Sequence, residues 1–421
     1  MIGDGPRNTT ANLELTDLDK RDILRQYNDR EVANLLPVLV TVGIFMVVGI
    51  VGNVLVVYVY WRKMRDSAKR TFILALAWLD LSVCVVVIPC EIYDLSNQVM
   101  FSHDELCKGM RFLEYSTVLS AGFVLISVSF ERYYFLCKAF KEFSSKKAKC
   151  VCLACVMCAM IVSSPAAVFA GSKTRHFRGY TDLTGSECSM NSEHNVDEIL
   201  KRFYYYFLFA IFFLCVIVFV VLYTMIGRLL WKYQSGQYDP TNIESSYSTP
   251  KRGSNCSSSI MHQIIPSEHN SDQSRASKSS HKIRTSKKIN RKKCSRSAGT
   301  VVVFFSVTVI FVVSFLPHLI MRLIKFLDVQ LGYDRDTYEL LYNFVVRSYL
   351  ISNVTNPFIY SILNKSFRSA LTLTFRRWGV CGKGDEPVRR WGLCGKGDEP
   401  VRRWGLCGKG AELVRTEDIG L

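Results

Sequence analysis

The sequence predicts an all-α polytopic membrane protein built on seven transmembrane helices. Three observations carry that reading. Of 421 residues, 49% are hydrophobic and 12% aromatic, yet the formal net charge is +17, so apolar residues and charges must occupy different places. Seven stretches, approximately 35–60, 71–97, 105–137, 150–171, 203–231, 299–326 and 338–363, are apolar over the roughly 20 residues that a helix needs to cross hydrocarbon. Basic residues gather in alternate connections between those stretches. The aromatic and β-branched content excludes an intrinsically disordered chain. Fifteen cysteines in this length are too sparse for a small disulfide scaffold.

The elements follow in chain order. Residues 1–33 form an outer N-terminal arm without the apolar core of a signal peptide, so the first span, which carries no charge, is expected to act as its own insertion signal. The fifth span is uncharged from Phe203 to Val221. Connection 61–70 holds five basic residues and one acidic, and 138–149 repeats that balance. Connection 233–297 holds twelve basic and four acidic, and the segment 363–421 twelve and seven. The outer segments 1–33, 172–199 and 328–336 each sum to −2. That asymmetry places the N-terminus outside and the C-terminus inside, at the plasma membrane. The positive charge reports orientation, and a nucleic-acid partner is not expected. Residues 34–376 make up the membrane domain.

Two inner regions are compositionally biased. Connection 233–297 is rich in Ser and ends in a basic run, so its composition predicts disorder, phosphorylation and attraction to anionic lipid. The tail, 377–421, carries a 13-residue repeat that begins RRWGVCGKGDEPV at Arg376 and recurs from Arg389 and Arg402. Repeats this short cannot bury a solenoid core. Cys381, in the first copy, is close enough to the membrane to accept palmitate. Asn8-Thr9-Thr10 is a glycosylation sequon on the outer side. Asn255-Cys256-Ser257 and Asn364-Lys365-Ser366 match the same pattern but fall inside.

Cys107 and Cys188 both lie on the oxidising side, where a disulfide would tie the loop over the bundle mouth. Cys152, Cys155 and Cys158 have zinc-like spacing but sit in an apolar helix without a nearby His, which fits small buried hydrophobes. Charged residues inside spans cost about 2.5–3.5 kcal/mol each at the bilayer centre, so each is a functional candidate. They are Asp80, the run Glu131-Arg132-Tyr133, and, toward the outer half, Glu91, Arg111, Glu114, Arg322 and Arg347. Pro89, Pro165, Pro317 and Pro357 each remove a backbone hydrogen bond and permit a kink. No nucleophile–base pair or metal set accompanies the charges, so an enzyme is not expected. The seventh span lacks the lysine of a retinal protein, and the halves show no transporter-like repeat.

These residues together resemble the rhodopsin-like (class A) G-protein-coupled receptors, over about 34–376. Asn53 in GNVLVV resembles the marker of span one, and Leu76-Ala77-Trp78-Leu79-Asp80 that of span two. Cys107 and Cys188 resemble the family's outer disulfide. Glu131-Arg132-Tyr133 fits (D/E)RY, and Tyr223 fits the tyrosine of span five. Phe311 with Phe315-Leu316-Pro317 resembles the span-six switch. Asn356-Pro357-Phe358-Ile359-Tyr360 reads as NPxxY, followed by Phe367 in a short amphipathic cytoplasmic helix. The overall texture is similar to invertebrate receptors of the cholecystokinin, orexin and RFamide peptide group.

The resemblance implies a cell-surface receptor that binds an extracellular ligand, a neuropeptide on this reading, and activates a heterotrimeric G protein. Arrestin, a receptor kinase and membrane lipids are further implied partners. Arg132 would pair with Glu131 at rest and later line a cytoplasmic cleft beside Tyr223 and Tyr360, while Phe140 would insert into the G protein. Asp80, Ser352, Asn353 and Asn356 would make a sodium or water site. Glu91, Glu114, Phe315, Arg322 and Arg347 would line the ligand pocket. Charges of both signs suit a peptide better than a monoamine, although Glu114 aligns with the acid of amine receptors. Its competing reading is a local pair with Arg111 at i, i+3. A ligand-independent orphan receptor stays open because Phe315 replaces the switch tryptophan. Span six also has no acidic residue at its base, where Ser297 falls, so a lock from Arg132 across to that span is not expected.

Overall fold

The computed structural model describes residues 17–137, 143–177, 183–190, 198–235, 272–326 and 335–377. The chain divides into two units, Met1–Thr374 and Phe375–Leu421, and only residues 375–377 of the second are described. Asn8, Phe140, Cys381 and the tail repeats beyond 377 lie outside the described residues, as does 236–271 of the long connection.

The outer arm ends in a helix, α1 (Asp17–Asn34), which the sequence reading did not anticipate because its side chains follow no apolar stripe. Tertiary contacts hold it. Asn28 Nδ2 donates to the Ser96 carbonyl at 2.9 Å while its Oδ1 accepts the Val99 N–H at 3.4 Å. Glu31 faces Arg175 at 3.6 Å, and the Tyr27 and Phe177 rings lie 4.9 Å apart.

The first pass is α2 (Leu36–Lys63), opened by Pro37 in its first turn, where a missing N–H costs nothing. Its buried residues, Val38, Val42, Gly49, Asn53, Val56, Val59 and Tyr60, are mostly three, four or seven positions apart, so one face meets the bundle. The second pass is interrupted. α3 (Ala68–Ser82) is capped by Ser67, whose hydroxyl accepts the Arg70 N–H. A π turn at Val83–Val87 then leads into α4 (Ile88–Ser96). Such a turn accommodates one extra residue and re-aims the outer part of the helix. The third and fourth passes are α5 (Asp104–Cys137) and α6 (Ser145–Phe169).

Between α6 and the fifth pass the chain forms a hairpin, β1 (Gly171–His176) with β2 (Thr184–Ser189), antiparallel with Ser172 opposite Cys188. Polar residues dominate both strands, so the sequence held no strand signal. Main-chain bonds from Phe101 N to Ser186 O and from Ser186 N to Val99 O, both 2.9 Å, fasten it to the end of the second pass. The Cys107–Cys188 disulfide fastens it to α5.

The fifth pass is α7 (Glu198–Gln234) and the sixth is α8 (Asp272–Phe326). The expectation of disorder across 233–297 fails over 272–297, where the backbone is helical. No Pro or Gly interrupts 272–298, and Lys, Arg and Ala are good helix formers. Among the described residues, six helical stretches are long and apolar enough to cross a membrane. The seventh pass, expected as one span over 338–363, is two shorter helices, α9 (Arg335–Val346) and α10 (Leu350–Leu363). Across the break the N–H groups of Arg347, Ser348, Leu350, Ile351 and Ser352 bond three residues back, the tighter 3₁₀ pattern. Side chains explain the break: Ser348 Oγ donates to the Ser314 carbonyl at 2.7 Å, and Arg347 turns inward to carboxylates.

α11 (Lys365–Arg377) is the expected short helix after NPxxY. Asn364, which also matches the sequon pattern, is buried and structural. Its Oδ1 accepts the Phe367 N–H at 3.3 Å, and its Nδ2 donates to Tyr60 Oη at 2.7 Å. Phe367 is fully buried and stacks on Tyr60 at 5.6 Å. Burying such a ring contributes about 1.5–3 kcal/mol. Around it lies the largest apolar core, formed by Phe72, Leu76, Leu125, Phe304, Phe311 and Tyr360 in the inner half.

Candidate functional site: a charged outer cavity above an aromatic pit

Three carboxylates and three arginines converge in the outer half. Glu91 and Asp94, three residues apart, share one face of α4, and Arg111 and Glu114 share one face of α5. Arg322 comes from α8 and Arg347 from the break in the seventh pass. Arg111 is the hub: Nη1 lies 2.9 Å from Glu114 and 3.2 Å from Glu91, and Nη2 lies 3.1 Å from Asp94. Arg347 Nη2 lies 2.9 Å from Glu91 and 3.8 Å from Asp94, while its Nη1 donates to Asn343 Oδ1 at 2.7 Å. Arg322 Nη2 faces Glu114 at 3.6 Å. Each buried ion costs several kcal/mol of lost hydration, and only mutual pairing offsets that. Four helical passes are therefore tied by one neutral network.

The network forms the floor and wall of a cavity of about 600 Å³, roofed in part by the hairpin residues Lys173, Arg175 and Glu187. Below it lies a narrower apolar pit lined by Leu119, Leu208, Phe212, Phe311 and Phe315. Tyr205 and Arg322 line both spaces. The pit's aromatic column is continuous: Phe212 meets Phe315 at 5.4 Å, Phe311 stacks on Phe315 at 6.1 Å, and His318 stacks on Phe315 at 5.1 Å. His318 Nδ1 donates to the Val346 carbonyl, which joins α8 to the outer half of the seventh pass.

The inner half is organised differently. Arg132 bonds the carboxylate of its own neighbour, Glu131, and its guanidinium lies 5.4 Å from the Phe135 ring and 6.0 Å from that of Phe304. Tyr133 packs with Leu136, Ile226 and Val301. The Tyr223 hydroxyl meets Thr308 Oγ1 at 3.0 Å. Tyr360 is fully buried, and its hydroxyl has no hydrogen-bond partner among the described residues. Ser297, where the apolar stretch of α8 begins, is buried, and it is not an acid. Instead Lys69 Nζ of α3 donates to Thr300 Oγ1 of α8 at 3.2 Å.

Between the halves, Asn356 Nδ2 donates to Asp80 Oδ2 at 2.8 Å, and Asn53 Nδ2 donates to the Asn353 carbonyl, also at 2.8 Å. Ser352 and Asn353 each bond the Tyr349 carbonyl of their own chain segment. A Cβ at Gly52 would come within 2.8 Å of Pro357 Cγ, so glycine is what lets α2 and α10 approach here.

The structure brings all five expected pocket residues to the two connected spaces. Glu114 takes the local pairing with Arg111 that sequence left as its alternative. Asp94 was missed, though its i, i+3 spacing from Glu91 was a usable signal. Asn343, Tyr205 and His318 were missed because nothing local marks a polar or aromatic residue as cavity-facing.

Seven helical passes, an outer disulfide and the Glu131-Arg132-Tyr133 and Asn356-Pro357 elements define a seven-transmembrane receptor. Residues 52–360, well over half of the chain, match the family described as 7 transmembrane receptor (rhodopsin family), and the chain belongs to that family. It is a family of multi-pass membrane receptors rather than enzymes. The chain is similar to the cholecystokinin receptor of Xenopus laevis, 23% identical over 395 residues that cover 87% of this chain and 83% of that one. It is also similar to the pyroglutamylated RF-amide peptide receptor of Rattus norvegicus, 23% identical over 324 residues, 75% of this chain and 64% of that one. With the neuropeptide S receptor of Macaca mulatta it shares 24% identity over 194 residues, 46% of this chain. The chain spans about half (50%) of that receptor's length.

Proposed function

We propose that this protein is a cell-surface receptor for an extracellular neuropeptide, and that peptide binding in the outer cavity shifts the helix bundle toward a state that activates a heterotrimeric G protein. The observation that carries the reading is the charged cavity joined to the aromatic column of α8. A ligand seated there touches the pass whose inner end adjoins Arg132, so binding and coupling can bias one equilibrium. The names of the relatives, all peptide receptors, support the ligand class. Glu114 already faces two arginines, which disfavours an amine ligand. The inner basic connections support an outside N-terminus and an inside C-terminus at the plasma membrane, a sugar on Asn8 and a lipid on Cys381. Arrestin, a receptor kinase and anionic inner-leaflet lipids complete the partner set.

The Asp80 carboxylate with the Ser352 hydroxyl and the Asn353 amide offers only hard oxygen donors, the chemistry that a sodium ion accepts. With the ion bound, the site would supply a fixed positive charge beside Asp80. Asn356 donating to the same carboxylate ties that site to NPxxY. Sodium is expected to lower agonist affinity, and Asp80→Asn to abolish the effect.

The receptor reading is tested by a peptide and amine library screened on cells expressing the full chain with a promiscuous G-protein readout, beside an Arg132→Ala control. Agonism by a peptide that the control loses supports it. Agonism confined to amines, or a constitutive signal unaffected by any compound, overturns it.

A further inference from the structure

Of the four arginines that line the outer cavity, Arg175 of β1 faces Glu31 at 3.6 Å and Glu187 at 3.9 Å, and the three that meet the acids of α4 and α5 are not equivalently satisfied. Arg111 and Arg347 both use their terminal nitrogens in bonds of 2.7–3.2 Å. Arg322 does not. Its contact with Glu114, at 3.6 Å, is beyond hydrogen-bond reach, so its terminal nitrogens make no hydrogen bond among the described residues, and its Nε, like those of Arg111 and Arg347, has no partner there either. A guanidinium offers five N–H donors in a planar fork that matches a carboxylate. This one is only 19% exposed and stands where the charged cavity narrows into the apolar pit. The acids near it are occupied: Glu91, Asp94 and Glu114 all serve Arg111. Glu339 lines the outer cavity alone, about two helical turns from Arg347 on the same pass.

We propose that Arg322 is the docking point for a carboxylate on the ligand, and that an aromatic or aliphatic group beside that carboxylate fills the pit below. Electrostatics favours this over a cationic ligand. A carboxylate completes a guanidinium that makes no hydrogen bond among the described residues, whereas a cation seated at the same point must detach Glu114 from Arg111. The carboxylate belongs either to an acidic side chain or to a free C-terminus, and both present the same two oxygens. This inference rests on the outer cavity being the ligand site.

The test is thermal stabilisation of the purified full chain by three matched probes, 4-phenylbutyrate, 4-phenylbutylamine and 4-phenylbutanol. The carboxylate is expected to raise the melting temperature saturably, and the amine to leave it unchanged. Arg322→Gln removes the carboxylate shift while the neutral alcohol still binds its pit, which shows that the variant is folded. Arg322→Lys restores part of the shift. Glu114→Gln, which removes Arg322's single competitor, tightens the carboxylate several-fold. Stabilisation by the amine alone, or a carboxylate shift that survives Arg322→Gln, overturns the proposal, as does weaker carboxylate binding in Glu114→Gln. Two tetrapeptides ending in phenylalanine then separate the sources, one with a free C-terminus and neutral side chains, the other amidated with a single glutamate. Stabilisation by either, lost in Arg322→Gln, names the source, and stabilisation by neither overturns the proposal. The assay needs no G protein or native agonist. A silent library screen with intact carboxylate binding would therefore fault only the receptor reading.

Discussion

The outer and inner halves of this bundle both bury arginine, but they satisfy it in opposite ways. Outside, Arg111, Arg322 and Arg347 meet three carboxylates carried by α4 and α5, so the charges cross-link four passes. Inside, Arg132 pairs with the adjacent residue of its own helix, and side-chain bonds between passes there, such as Lys69 to Thr300 and Tyr223 to Thr308, use neutral acceptors. The first arrangement is a structural tie that a ligand must accommodate. The second places no ion pair between α5 and α8 in the inner half among the described residues, so separating them there breaks no charge pair.

Breaking the outer tie carries the largest expected effect. Arg111→Ala takes the closest partner from Asp94 and Glu114 and leaves three buried carboxylates to two arginines, and removing one member of a buried pair costs about 3–5 kcal/mol. Thermal unfolding of the purified protein should show a drop of several degrees, together with reduced surface expression. A variant as stable as the parent would mean that the cluster is hydrated rather than buried. Asp94→Asn is milder, because Asp94 is the most exposed of the three acids and an amide can still accept from Arg111. A loss of about 1–2 kcal/mol is expected in the same assay.

On the inner side the comparison is sharpened by function more than by stability. Thr300→Val removes the acceptor of Lys69 and should change stability by no more than about 1 kcal/mol. Basal G-protein activation should nevertheless rise, measured as agonist-independent nucleotide exchange beside an Arg132→Ala control. Unchanged basal exchange would mean that the Lys69–Thr300 bond is incidental. The smallest expected effect on the fold is that of Asp80→Asn, which keeps an acceptor for Asn356 and alters sodium sensitivity alone. That is read as agonist affinity with and without sodium chloride.

Much of this fold was legible in the sequence because a bilayer imposes a coarse rule: long apolar runs become helices, and basic connections sort by side. What escaped was set by interactions across sequence distance. The break at 347–349 exists because Arg347 and Ser348 find partners on other passes. The π turn at Val83–Val87 lies in an apolar run, valine but for Cys84, with no local mark. The hairpin carries polar strands held by a disulfide and main-chain bonds. At the site, every charged residue within a span announced itself by its cost, so Glu91, Glu114, Arg322 and Arg347 were readable. Asp94 sits near the span end, where an acid is unremarkable, and only the geometry of Arg111 gives it a role.

The break in the seventh pass has a mechanical consequence. Its outer piece, α9, is bound into the charge network, and its inner piece, α10, holds Asn356 against Asp80. The joint between them is a few residues of 3₁₀ bonds, softer in torsion than continuous α-helix. Displacement of Arg347 by a ligand would be partly absorbed there, whereas α8 runs from Asp272 to Phe326 with Pro317 as its one proline. Of the two routes from cavity to cytoplasm, the sixth pass is the stiffer transmission rod and the seventh behaves as a slipping coupling.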